Sequence, residues 1–100
     1  MSSWPRRVQE TLSPIKLGAS EDVSFTGTSA QSGALAGTTI RVCAKSADCR
    51  IKAGSNPTAT ATDTLLIDGV PEYFAWTSGE KLAAIRNDDT DGTLNITVES

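Results

Sequence analysis

Few side chains in this chain are equipped for chemistry. Glu72 and Glu80 supply two carboxylates, the residue type a glycosidase uses, but the sequence does not say how they lie relative to one another. Asn87-x-Asp89-x-Asp91-Gly92 repeats the first half of an EF-hand loop, with oxygen ligands at alternate positions and glycine at the sixth. The twelfth position is Val98, where a bidentate Glu is required, and the flanking residues alternate as strands do. The segment therefore reads as an acidic loop between strands, with a weak calcium site as the alternative. Asn95-Ile96-Thr97 fits a glycosylation sequon but lies inside an alternating strand. Gly33-x-x-x-Gly37 lacks the Lys-Ser/Thr that would make it a phosphate cradle.

The chain has no histidine. The usual general base and the commonest metal ligand are thus missing, and Ser-His-Asp or Cys-His nucleophile systems cannot form within the chain. Cys43 and Cys49 cannot complete a zinc site unless carboxylates or another chain join them. These residues point away from an enzyme, and no cofactor is expected. Tyr73, Phe74 and Trp76 hold three of the chain's five aromatic rings, which makes them a core cluster, a subunit contact or a sugar-stacking platform. Strand parity sends Phe74 and Trp76 to one face and Tyr73 to the other.

The elements that must position these groups are strands. Gly, Pro or Asn clusters interrupt short apolar or alternating runs at about the 8–12 residue spacing of an all-β sandwich or barrel. Val23 and Phe25 alternate with polar neighbours, and the segment 29–37 is a small-residue connector. Residues 38–45 and 49–53 read as a strand pair around Ser46-Ala47, and 80–86 with 93–98 as a last hairpin around 87–92. A short strand over 64–67 ends at the turn dipeptide Asp68-Gly69. In the first pair, burying Val42 beside Ile51 turns Cys43 to the polar face and Cys49 to the core, so both thiols should be free. The loop 54–63 and the acidic tip 87–92 should face solvent or a partner.

The composition bounds the rest. One domain fits 100 residues, and a core with only 5% aromatic residues and much alanine is thin. Oligomerisation would help to stabilise such a domain. The net charge is −3, and the basic residues are scattered apart from Arg41, Lys45, Arg50 and Lys52. Nucleic-acid binding draws on concentrated positive charge, so it is disfavoured. No apolar run is long enough for a membrane span, and the N-terminus has no apolar leader segment, so cytoplasmic synthesis is expected.

Residues 1–20 differ from the rest. Trp4, Val8 and Leu12 recur every four residues, between Pro5 and Pro14. That pattern suits a short helical stripe or one face of a strand. The segment reads as an N-terminal arm that packs Trp4 and Leu12 onto a partner, or as a frayed terminus. Residues 21–100 form the sandwich domain.

The series Arg41-Val42, Asp48-Cys49-Arg50-Ile51, Gly54-Ser55-Asn56-Pro57-Thr58-Ala59-Thr60, Gly69-Val70-Pro71-Glu72-Tyr73-Phe74, Gly79-Glu80-Lys81-Leu82-Ala83 and Gly92-Thr93-Leu94 resembles small accessory proteins of tailed-bacteriophage virions. The likeness covers residues 38–98. It implies an all-β fold, a small antiparallel β-sandwich (jelly-roll-like) with an extended N-terminal arm, and a non-enzymatic role in the virion, assembled in the host cytoplasm. Capsid decoration (cement) proteins, head fibres and neck or tail components are all of this type. A decoration protein would bind the major capsid protein as a homo-oligomer, a trimer being favoured, with Trp4, Val8, Leu12 and Trp76 as partner contacts. A small carbohydrate-binding module is the reading from a different class.

Overall fold

A computed structural model describes residues 16–99. They form eight strands and, among the described residues, no helix: β1 (Leu17–Phe25), β2 (Ala30–Gln31), β3 (Thr39–Lys45), β4 (Cys49–Gly54), β5 (Thr64–Leu66), β6 (Glu72–Ala75), β7 (Lys81–Arg86) and β8 (Gly92–Glu99). Two antiparallel sheets result, sheet A in the order β1-β8-β3-β6 and sheet B in the order β2-β7-β4-β5. The expected β-sandwich is therefore present. Its winding is that of a jelly roll. β1 pairs with β8, β2 with β7, β3 with β6 and β4 with β5, as when one long antiparallel ribbon is rolled up around a core. β1 begins at Leu17, so residues 17–20 belong to sheet A rather than to the arm.

Alternation explains the core. Val23 and Phe25 on β1, Ile40, Val42 and Ala44 on β3, and Leu94, Ile96 and Val98 on β8 all point inward from sheet A. Cys49, Ile51, Leu66, Leu82 and Ala84 meet them from sheet B. Each fully buried large side chain contributes roughly 1.5–3 kcal/mol. Small residues let the layers approach. A Cβ on Gly92 would sit 2.6 Å from both the Lys45 carbonyl oxygen and Phe25 Cζ, so only glycine fits opposite Phe25.

Two expected hairpins are not formed. β3 and β4 lie in different sheets, as do β7 and β8. Alternation states which face of a strand is buried but not which strand lies beside it, and β3 and β4 do bury the faces expected of them. At the β3–β4 corner the chain crosses between sheets through Ser46, at φ 81°, a left-handed conformation that costs a non-glycine residue about 1–2 kcal/mol. Neighbouring carboxylates hold this corner. Ser46 N–H donates to Asp68 Oδ1 at 3.0 Å, and Asp68 N–H donates to Asp48 Oδ1 at 2.7 Å. Gly69, at φ 80°, completes the turn from Ile67 to Val70 that carries the chain from β5 to β6. Among the described residues, only β4 and β5 are consecutive strands that pair directly.

The loop joining them turns Ser55, Asn56, Thr58 and residues 60–62 to solvent, as expected, but it is fastened to the sandwich rather than free of it. Pro57 and Ala59 are buried, and Gln31 Nε2 donates to Asn56 Oδ1 (2.9 Å) and to the Pro57 carbonyl (2.8 Å). Ala59 N–H donates to Ser29 Oγ at 2.9 Å. The loop thus folds back over the outer face of sheet B, where Ala83, in register with Gln31, is fully buried. Pro57, Ala59 and Ala83 make a second small apolar layer outside the main core.

Candidate functional site

The two long sides of the sandwich are finished differently. Along the β1–β2 side, Val23 and Phe25 are buried, and Gly33 N–H donates to both Glu21 carboxylate oxygens at 3.0 and 3.2 Å. Arg86 N–H donates to the Thr26 carbonyl at 2.9 Å, which draws the β1–β2 turn onto β7. Along the β5–β6 side the sheets end in the two short strands β5 and β6. Between them opens a cleft of about 330 Å³.

The cleft has an apolar floor and a charged rim. Ile40 and Phe74 contribute from sheet A, Ile51 and Leu82 from sheet B, and Trp76 closes one end. Lys52, Asp63 and Glu80 stand at the mouth. Trp76 follows β6, its N–H donating to the Thr38 carbonyl at 2.8 Å, so that its side chain continues the inward parity of Phe74. The indole Nε1–H donates to the Leu35 carbonyl at 3.0 Å, an oxygen that also accepts from Gly79 N–H at 2.8 Å. Gly79, at φ 95°, makes the turn from Thr77 that sets Glu80 on the rim. Asp63 is occupied, accepting from Thr60 N–H (2.7 Å) and Thr60 Oγ1 (3.1 Å), which leaves Lys52 and Glu80 as the rim charges able to meet a ligand.

Of the residues singled out from the sequence, Trp4, Val8 and Leu12 lie outside the described residues. Trp76 is only 9% exposed and forms a wall of the cleft. The parity argument for the aromatic cluster holds: Phe74 packs on the core and Tyr73 is 55% exposed on the outer face of sheet A, in register with Arg41. Glu72 starts β6 and Glu80 follows the turn beyond its far end, so the two carboxylates do not form a pair. The calcium-like segment does not converge either. Asn87 Oδ1 accepts from Arg50 Nε at 2.9 Å, and Asp91 Oδ1 pairs with Arg86 at 2.8 Å. The protein's own guanidinium groups take the positions a cation would need. Among the described residues, no three or more Cys, Asp and Glu are grouped to hold a metal.

Both thiols are free, with Cys49 fully buried and Cys43 half-buried on the outer face. Burial, with a smaller contribution from the Asp48 carboxylate, pushes the Cys49 thiol up to about 12, so it is not a nucleophile near neutrality. A wider depression on the outer face of sheet A is lined by Asp22, Lys45, Ser46, Thr93 and Asn95. Within it Asn95 Nδ2 donates to Asp22 Oδ1 at 2.9 Å.

Sequence reasoning missed Ile40, Ile51 and Leu82 as cleft walls: it gave Ile51 to the core and assigned Ile40 and Leu82 no place at a site. The available signal was the brevity of the strand at 64–66, hemmed between the loop and Asp68-Gly69, which leaves the space beside it uncovered. Comparison with family models, with curated proteins and with solved structures finds no match to this chain.

Proposed function

We propose that this chain is a non-enzymatic structural component of a tailed-phage virion, most specifically a capsid decoration protein that binds the major capsid protein and stabilises the shell. The observation that carries the proposal is the division of labour between polar and apolar groups. Asp48, Asp63, Asp68, Asn87, Asp91 and Arg50 are spent on loops and corners. What remains for contact is a cleft with an apolar floor and the Lys52 and Glu80 charges at its mouth, and the Trp4, Val8 and Leu12 repeat of the sequence.

The motifs behind the phage resemblance also acquire a physical sense. Gly69, Gly79 and Gly92 lie at or beside the connections that pass the chain from one sheet to the other. Jelly rolls serve in capsids and in lectins alike, so the fold supports either class without choosing between them. The carbohydrate module is the weaker reading, since Phe74 and Trp76 turn inward and leave Tyr73 as a single exposed ring.

The test is the copy number of the chain on purified virions. Hundreds of copies, lost when residues 1–16 are deleted, are the expected result. A dozen copies or fewer would move the protein to the neck or tail. Absence from particles, with glycan binding abolished by Tyr73→Ala, would favour the sugar module instead.

A further inference from the structure

The loop between β4 and β5 is bonded to the sandwich through side chains alone. Among the described residues, no backbone-to-backbone hydrogen bond ties residues 55–62 to the rest of the chain. We propose that this stretch is a strap that lifts off the outer face of sheet B as one unit. It is released at a latch made of Ser29 and Gln31, while the core and both ends of the loop stay folded. The inference does not depend on the virion reading.

Fixed and moving parts are told apart by their bonds. At one end of the loop Gly54 is paired with Lys81 in the sheet, and at the other the Asp63 carbonyl accepts from Arg50 Nη1 at 3.2 Å. Between these stems, among the described residues, only two side chains hydrogen-bond the strap to the body. Gln31 Nε2 donates to Asn56 Oδ1 and to the Pro57 carbonyl, and Ser29 Oγ accepts from Ala59 N–H. The post that carries the latch is firm. Ser32 N–H donates to the Leu82 carbonyl at 2.8 Å, and the Ser32 hydroxyl accepts from Leu82 N–H at 2.9 Å. The far arm of the strap is self-contained, since Thr60 and Asp63 bond to one another through backbone and side chain. Those bonds remain when the strap lifts.

Burial argues for a movement in one piece. Pro57 and Ala59 are buried and Thr58 between them is exposed, the alternation of an extended segment lying on a sheet. Beneath them Ala83 is fully buried, although it faces away from the core that Leu82 and Ala84 enter. Two short side chains against one methyl group cover little area, so the grips of Gln31 and Ser29 supply much of the hold. Each is modest in net strength, because water replaces it when the strap lifts. The grips flank Ala30 and seize neighbouring points of one extended segment, so losing either loosens the other. Segments with few buried contacts open locally, well below the free energy of global unfolding. Lifting uncovers Ala83 beside the half-buried Ile85, which gives the outer face of sheet B an apolar strip.

Hydrogen exchange of the full chain, followed residue by residue by NMR, tests the strap. Ala59 N–H is the reporter, because its acceptor sits on the latch. Corrected for intrinsic rates, it should exchange about a hundredfold faster than Arg41 and Thr97, paired within sheet A, and with little dependence on denaturant. Gln31→Ala removes no bond of Ala59, yet it should raise the Ala59 rate about tenfold and leave Arg41 and Thr97 unchanged. Cleavage by proteinase K within residues 55–62 should rise by a similar factor, since it follows the open population. An Ala59 rate unaltered by Gln31→Ala would overturn the proposal, because the two grips would then act separately. So would exchange of Ala59 at the rate and denaturant dependence of Arg41, since the strap would then open only with the whole fold.

Discussion

The β1–β2 side and the β5–β6 side of this sandwich bury the same kinds of residue and end differently. On the first, a nine-residue strand runs along the edge, Phe25 is fully buried, and the Glu21 carboxylate ties the following loop down. On the second, strands of three and four residues leave Phe74 half-buried and a cleft beside it. The second side is not open throughout. At the β3–β4 corner Leu66 and Cys49 are fully buried, and Asp48 and Asp68 brace the turn. The tight side also contains the shortest strand, β2 with two residues, so strand length alone does not set the difference. The comparison teaches that a core is finished along a margin by the connections tied across it, here Gly33 to Glu21 and Arg86 to Thr26.

The contrast can be broken most directly by truncating an aromatic ring on each side. Phe25→Ala should cost about 4 kcal/mol, and Phe74→Ala no more than about half of that, because a half-buried ring leaves less of a cavity. Equal losses in denaturant melts would mean that the two sides are finished alike. Gly92→Ala, again on the tight side, should cost about 3 kcal/mol, since the new methyl group meets the Lys45 carbonyl and Phe25 with no room to relax. A midpoint close to wild type would show that the tight side has slack.

The braced corner beside the cleft can be read by pH. The Cys49 thiol titrates at about 12 in the folded chain, against 9.0 as the ordinary value. Above pH 9 the unfolded chain loses this proton while the folded chain keeps it. The stability tied to the neutral thiol is therefore intact below pH 9 and is lost as pH rises from 9 toward 12, by about 1.4 kcal/mol per unit. Cys49→Ala should remove that share of the slope. If the slope is unaltered, the corner is wetter than its burial suggests. At the other end of the cleft, Trp76→Phe removes one of two hydrogen bonds to the Leu35 carbonyl and should cost about 1 kcal/mol in the melt. The smallest effect is a gain. Ser46→Gly relieves the positive φ at the corner and should raise stability by up to about 1 kcal/mol, the relief being partly offset by the greater freedom of glycine in the unfolded chain.

Much of the fold was legible in the sequence. Alternation assigned Val23, Phe25, Val42, Cys49 and Ile51 to the core, and it separated Tyr73 from Phe74. Asp68-Gly69 was readable as a turn and is one. Less of the candidate site could be read. Trp76 was named as core or as a partner contact and is a buried wall of the cleft, and the walls contributed by Ile40, Ile51 and Leu82 come from strands in two different sheets. The loop 55–63 looked exposed because its residues are small and polar, and the match between Gln31 and the backbone at Pro57 spans too many residues to be seen locally.

The sequence by itself determined the all-β class, the inward face of most strands, the absence of histidine chemistry and the position of several turns. All of these are local properties, set by side-chain parity, by backbone preference at Gly, Pro and Asn, and by residue type. Tertiary structure alone decided which strands are neighbours, that β3 and β4 part company at Ser46, and that a cleft opens beside β5. Backbone hydrogen bonds are the same for every residue, so a ladder carries no label for its partner. The pairing emerges only when all eight strands bury their apolar faces at once.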